Sequence, residues 1–211
     1  MKRIVILISG RGSNMQAVLE AKLNAMVCAV ISNEASAKGL QIARDAGVDT
    51  RVISHHAYAS RASFDRCLAD TIEEYRPDLI VLAGFMRILT EEFISRFNGK
   101  IMNIHPSLLP AFPGLDTHRR AIDEGVKLHG CTVHFVTTAL DHGPIVIQSA
   151  VPVRPDDDED RLAARVLELE HAVYPRAIQW FLDDQLVVEG NRVKVSAACN
   201  YTGVLASPSL T

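Results

Sequence analysis

Asn103 and His105 stand two residues apart at the end of the apolar run "KIMNIH", just ahead of a loop stiffened by Pro106, Pro110 and Pro113. On a strand, alternate residues project from one face, so this amide and imidazole point the same way from its carboxyl end. Open α/β sheets receive their ligands at that end. An amide donates to a developing oxyanion, and an imidazole moves protons near neutral pH. Taken alone, the pair also describes a hydrogen-bonded strand end. Asp141, in "LDHGPI", adds a carboxylate. It either bonds its own turn or, if the fold delivers it to His105, orients and charges the ring.

A second stretch with chemistry is "SGRGSN", Ser9 to Asn14, at a strand-to-helix turn. Glycines there let backbone N–H groups approach an anion, and the helix N-terminus adds partial positive charge. The plainer reading is a tight turn with a capped helix. Met15 occupies the third glycine position of a dinucleotide fingerprint, and no Gly-Lys-Ser/Thr is present, so a single phosphate suits the loop better than a pyrophosphate. "DDDED", Asp156 to Asp160, reads as a capped and charged helix start. His55-His56, His118, His129, His134 and His171 show no ligand spacing of the H-E-x-x-H kind, and no metal is expected. His134, inside an alternating strand, reads as a hydrogen-bonded structural residue. The absence of a Gly-x-Ser-x-Gly elbow argues against a serine hydrolase.

These groups need elements to position them. "RIVILIS" and "MVCAVIS" are β-branched runs of the kind buried on both faces of a parallel sheet. A helix is expected from Asn14 to Leu23, capped by Ser13 or Asn14, and another from Ala37 to Ala46, closed by Gly47. "TRVIS" is a third strand, and a helix runs from about Ser60 to Tyr75, ending before Pro77. "DLIVLAG" is the fourth strand, Thr90 with Glu92 starts a helix that Asn98-Gly99 ends, and "KIMNI" is the fifth strand. The rhythm predicts an α/β fold: an open, mainly parallel, doubly wound sheet, Rossmann-like through about residue 105.

Beyond it, "CTVHFV" and "PIVIQSAVPV" follow one another with little helix between, which predicts mixed or antiparallel pairing. A long helix from about Asp157 carries Leu162, Val166, Leu169 and Val173 on one stripe. "LVVEGNRVKV" predicts a hairpin around Gly190-Asn191, and "GVLASPSLT" a loose end. No repeat and no linker divides the chain.

Composition narrows the partners. The 211 residues are 48% hydrophobic and 22% charged, with a formal net charge of -3. Nothing there calls for nucleic acid or an anionic membrane, and a small-molecule partner is expected. The four cysteines are scattered without a C-x-x-C pair, which suits a reducing cytoplasm. The apolar part of "MKRIVILIS" is too short for a signal peptide and reads as the first strand.

Together "ISGRGSN", "LAGFMRIL", "NIHPSLLPAFPG", "HGCTVHFV", "LDHGPI" and "EHAVYP" closely resemble the purine-pathway phosphoribosylglycinamide formyltransferases, in the same order and spacing to about Leu182. The Asn-x-His-Pro-Ser-Leu-Leu-Pro loop alone resembles the whole folate-dependent formyltransferase group, including methionyl-tRNA formyltransferase and formyltetrahydrofolate deformylase. The resemblance implies formyl transfer from 10-formyltetrahydrofolate, a co-substrate, to the amine of glycinamide ribonucleotide. The alternative it leaves is a 10-formyltetrahydrofolate deformylase.

Carried over by motif, Gly12, Ser13 and Asn14 hold the phosphate and Glu170 the ribose hydroxyls. Met86, Arg87, Ile88 and Leu89, with Val136, Leu140 and Asp141 and with Asn103, meet the folate, and Arg61 its polar tail. Asn103, His105 and Asp141 form the implied catalytic set, in which Asp141 keeps the ring protonated. Leu167, His142 and Asp116 depart from the family's pattern. The expected organisation is one formyltransferase domain, 1–211, made of a phosphate-binding half (1–105), a folate and catalytic half (106–185), and a hairpin with tail (186–211). The implied protein is a cytoplasmic monomer or homodimer, acting on small molecules.

Overall fold

The computed structural model describes residues 1–196 and residue 207. The chain forms two compact units, Met1–Asn103 with Phe135–Ala139, and Ile104–His134 with Leu140–Thr211. The fold is mixed α/β with an unclosed, mostly parallel sheet, as expected. Apart from Ser207, the "GVLASPSLT" end lies outside the described residues.

The first unit begins with β1 (Lys2–Ile8), α1 (Ser13–Glu20), β2 (Ala25–Ser32), α2 (Gly39–Asp45) and β3 (Asp49–Val52). A 3₁₀ turn (His55–Ala57), α3 (Arg61–Glu74), β4 (Leu79–Leu82), α4 (Glu91–Arg96) and β5 (Ile101–His105) follow. β5 carries the chain on into the second unit. The strand order β3-β2-β1-β4-β5 is parallel throughout. Ile4 to Ile8 are fully shielded, as a strand covered on both faces requires. Phe64, Leu68 and Ile72 of α3 and Phe93 of α4 pack into the same core.

The chain leaves β1 for β2 and β3, then returns to β4 on the other side of β1. This is a topological switch point, where ligands bind outside the carboxyl ends of the strands. The loops after β1 and β4 meet there, and the Ser9 N–H donates to the Gly84 carbonyl at 3.0 Å.

Side chains cap the starts of α3 and α4. Ser60 and Ser63 form a reciprocal capping box on α3. The Thr90 hydroxyl accepts from the Phe93 N–H at the start of α4, and the Asp65 carboxylate accepts the Thr90 N–H at 2.6 Å. α1 departs from expectation. Its cap is Gly12, in the left-handed region at φ 79°, and no side chain caps it.

The second unit adds α5 (Thr117–Asp123), β6 (Leu128–Phe135), β7 (Ile145–Pro152), α6 (Glu159–Leu182), β8 (Leu186–Glu189) and β9 (Arg192–Val195). β6 pairs antiparallel with β7, β7 parallel with β9, and β9 antiparallel with β8 in the expected hairpin. A Cβ at Gly130 would lie 1.9 Å from the Ser149 carbonyl oxygen, so only glycine fits this pairing. Asp158 caps α6 by accepting the Arg161 N–H, as the acidic run implied. The buried stripe of α6 runs Leu162, Val166, Glu170, Tyr174, while Leu169 and Val173 are only half-buried. A carboxylate therefore sits on an apolar stripe. α5 had no counterpart in the expected elements.

Candidate active site

The loop after β5 is pinned by hydrogen bonds from inside the second unit. The Thr132 hydroxyl donates to the Ser107 carbonyl at 2.7 Å and accepts from the Leu109 N–H at 3.0 Å. Gln148 donates to the Leu109 carbonyl at 2.8 Å and to the Thr132 hydroxyl at 3.0 Å. The Ser107 hydroxyl donates to the Ala111 carbonyl, and the Thr117 hydroxyl to the Pro106 carbonyl, at 2.6 and 2.7 Å. The Leu109–Pro110 peptide is cis.

This folding turns the Phe112 carbonyl toward His105, whose Nε2 lies 2.9 Å away. A carbonyl only accepts, so Nε2 carries a proton. The other nitrogen, Nδ1, faces Asp141 Oδ2 at 3.6 Å. Both side chains are more than nine-tenths shielded.

Asp141 sits in the left-handed region, at φ 51°, which short polar residues tolerate best. Its Oδ2 accepts the Gly114 N–H at 2.9 Å, and its Oδ1 lies 4.0 Å from Nε2 of His134. The carboxylate thus reaches 27 residues back along the chain to Gly114. It lies between two imidazoles, one of which, His134, had been read only as structural. Asn103 precedes His105 by two residues on β5.

In the first unit, Gly12 opens α1 with its Cα against Gly39. A Cβ on Gly12 would lie 2.7 Å from the Gly39 Cα. Gly12 is therefore required twice, for its positive φ and for this close approach. Ser13 and Asn14 form the uncapped first turn, where a helix offers N–H groups to an anion.

Met86 to Leu89 follow β4. Met86 and Ile88 are exposed, Arg87 half-buried over the Phe64 ring, and Leu89 buried. The Ser9 hydroxyl joins the two loops, accepting the Met86 N–H at 2.7 Å. Arg61 is exposed at the start of α3, Val136 follows β6, and Leu140 is exposed. Glu170 is buried on α6.

The structure brings His105 and Asp141 together, and links Ser9 with the Met86 segment. Reading the sequence missed the supports: Thr132, Gln148 and the Phe112 carbonyl. Thr132 and Gln148 act from strands distant in sequence, and the Phe112 contribution is a backbone carbonyl, which carries no residue-type signal.

A family model for formyl transferase matches residues 2–178. The phosphoribosylglycinamide formyltransferase of Escherichia coli (strain K12) is 50% identical over 192 residues, 89% of this chain and 91% of that protein. The trifunctional purine biosynthetic protein adenosine-3 of Bos taurus is 46% identical over 181 residues, 84% of this chain but 18% of that longer protein. The crystal structure of glycinamide ribonucleotide transformylase 1 from Symbiobacterium toebii superposes with a TM-score of 0.90 at 49% identity, covering 92% of this chain and 94% of that one. Sequence and architecture agree along nearly the whole length, and the chain belongs to the formyl transferase family.

Proposed function

We propose that the protein moves the formyl group of 10-formyltetrahydrofolate to the amine of glycinamide ribonucleotide, giving formylglycinamide ribonucleotide and tetrahydrofolate in de novo purine biosynthesis. The kinship to formyltransferases of that reaction supports the overall conversion. The observation that carries the mechanism is His105, held at Nε2 by the Phe112 carbonyl and faced at Nδ1 by Asp141.

The amine attacks the formyl carbon, and negative charge develops on the formyl oxygen. The Asn103 amide and protonated His105 stabilise that charge. As the carbon–nitrogen bond to the folate breaks, the leaving nitrogen takes a proton and the attacking nitrogen gives one up. Because Nε2–H is committed to the Phe112 carbonyl, Nδ1 is the nitrogen that handles this traffic, with Asp141 opposite to stabilise the imidazolium. The steps call on no metal.

Gly12, Ser13 and Asn14 are assigned to the phosphate, and Glu170 to the ribose hydroxyls. Arg61, Met86, Arg87, Ile88, Leu89, Asn103, Val136, Leu140 and Asp141 are assigned to the folate. The reading takes residues 1–211 as one formyltransferase domain, cytoplasmic, working as a monomer or homodimer on small molecules. Among the described residues no helix is long and apolar enough to cross a membrane.

The test is release of tetrahydrofolate with and without glycinamide ribonucleotide. A transferase positions a bound amine, which lowers the barrier by up to roughly 7–11 kcal/mol. Anchoring by the phosphate lets remote binding energy act at the reacting carbon. Release is expected to be slow with formylfolate alone and fast with the ribonucleotide, while free glycinamide substitutes very poorly. Equal release with and without the ribonucleotide would mean a deformylase.

A further inference from the structure

Glu34, just past β2, and His55 and His56, in the 3₁₀ turn, lie 21 residues apart in sequence and together in the first unit. One ligand atom from each falls within 4.8 Å of the others. His55 Nδ1 is 3.5 Å from Glu34 Oε1, and the two imidazole rings lie side by side with centroids 3.9 Å apart.

The surroundings hold His55 in the form a metal requires. Ser9 Oγ accepts the Met86 N–H, so its own hydrogen goes to Asn33 Oδ1, 2.6 Å away. That fixes the orientation of the buried Asn33 amide. Its nitrogen faces His55 Nδ1 at 3.2 Å and Glu34 Oε1 at 3.3 Å. A donor at that position is met by a lone pair on Nδ1, the kind of atom a metal would take up. Phe64 packs edge-on against the ring, with centroids 6.3 Å apart. The Ser32 hydroxyl clamps the Glu34 backbone, accepting its N–H at 3.0 Å and donating to its carbonyl at 2.9 Å. Glu34 and His55 are partly open to solvent and His56 is exposed, so an ion has access.

We infer that Glu34, His55 and His56 form a binding site for a divalent first-row transition cation of the zinc type. Two imidazoles and one carboxylate are the donor set of open zinc sites, whereas calcium and magnesium favour oxygen donors alone. Tetrahedral ligands at about 2.0–2.1 Å from zinc stand roughly 3.3 Å apart. The His55–Glu34 separation already approaches that value, and rotation of the exposed His56 side chain supplies the remainder. The ion displaces the Asn33 amide from both of its acceptors, which moderates the affinity. Adjacent histidines alone give no ligand motif. The fold completes the site by bringing Glu34 to them.

The experiment uses full-length protein free of any polyhistidine tag and stripped with a chelator. Cobalt(II) chloride is titrated while visible absorption is recorded, and zinc chloride is then added as competitor. The expected result is one ion per chain, with the intense bands of a low-coordinate cobalt site that zinc abolishes. Glu34→Gln and His56→Ala should each weaken binding by at least about tenfold. His56→Ala should leave formyl transfer by the metal-free enzyme unchanged, which shows that the variant is folded. Absence of saturable binding, or binding that either substitution leaves unchanged, overturns the site.

Discussion

The two units bury different things. In the first, the only buried polar residues among those described are Ser32, Asn33 and Asp65. In the second they are His105, Ser107, Thr117, His129, Thr132, His134 and Glu170. The first unit is an apolar sheet core whose proposed chemistry sits mainly in turns, as at Gly12, with the Asn103 side chain near the end of β5 as the exception. The second holds its proposed chemistry in a polar interior, where each group must find a partner or destabilise the fold. On the proposed assignment, core packing in the first unit away from Leu89 and Asn103 is expected to be separable from the reaction, while the polar contacts of the second are not.

Asp141→Asn tests this contrast most severely. The change keeps the acceptor for the Gly114 N–H but removes the charge facing His105. Turnover is expected to fall on the order of 10²–10⁴-fold, with KM values and melting temperature nearly unchanged. Steady-state kinetics beside thermal unfolding would show it. Wild-type turnover would reduce Asp141 to a turn residue.

Core deletion in the first unit should do the reverse. Leu68 is almost fully buried in α3, and Leu68→Ala is expected to cost about 2–5 kcal/mol of stability. The molecules that remain folded should turn over normally, as denaturant titration and assays well below the midpoint can establish. A matching collapse of turnover would erase the distinction between the units.

Thr132→Val is the intermediate case. It strips the Leu109 N–H and the Ser107 carbonyl of one shared partner, at a cost of about 1–3 kcal/mol. Because that partner steadies the loop presenting the Phe112 carbonyl, turnover should drop as well. A stability loss with intact turnover would show that the loop is held redundantly.

The smallest effect is in acid. His129 is fully shielded, and burial lowers its pKa from 6.5 to about 4, with the nearby His118 adding to the shift. Burial also lowers His118, against the opposing charge of Glu159. Both rings stay neutral in the native state while the unfolded chain takes up protons first. Their contribution is complete above pH 6.5 and is lost as pH falls toward 4. The expected decline across that window is about 1–3 kcal/mol, and His129→Gln should flatten it. Urea titrations at a series of pH values measure the slope. A slope unchanged in the variant would place the acid sensitivity elsewhere.

The first unit was largely legible in sequence because its signals are local. Runs of β-branched residues, Ser60 and Thr90 as caps, and Pro77 as a stop all act within a few residues. Even there the start of α1 was misread, since a left-handed Gly12 did the work expected of Ser13 or Asn14. α5 was missed because it is seven residues long, lacks a side-chain cap and buries only Thr117 and Ala121. The pairing of Asp141 with His105 was legible only through resemblance. Its physical basis, a turn that projects the carboxylate to Gly114 and the ring, depends on contacts no local pattern encodes. The Glu34–His55 pairing is hidden for the same reason.

The grip on His105 also sets a clock. With Nε2 tethered to a carbonyl and Nδ1 opposite a carboxylate, the ring cannot turn about its Cβ–Cγ bond without losing both partners at once. Rotation is then a rare excursion, and on the proposed assignment the imidazole would start each cycle in the orientation in which it ended the last. A nitrogen-15 spectrum of this ring should show one long-lived orientation, with no exchange between flipped forms on the timescale of turnover.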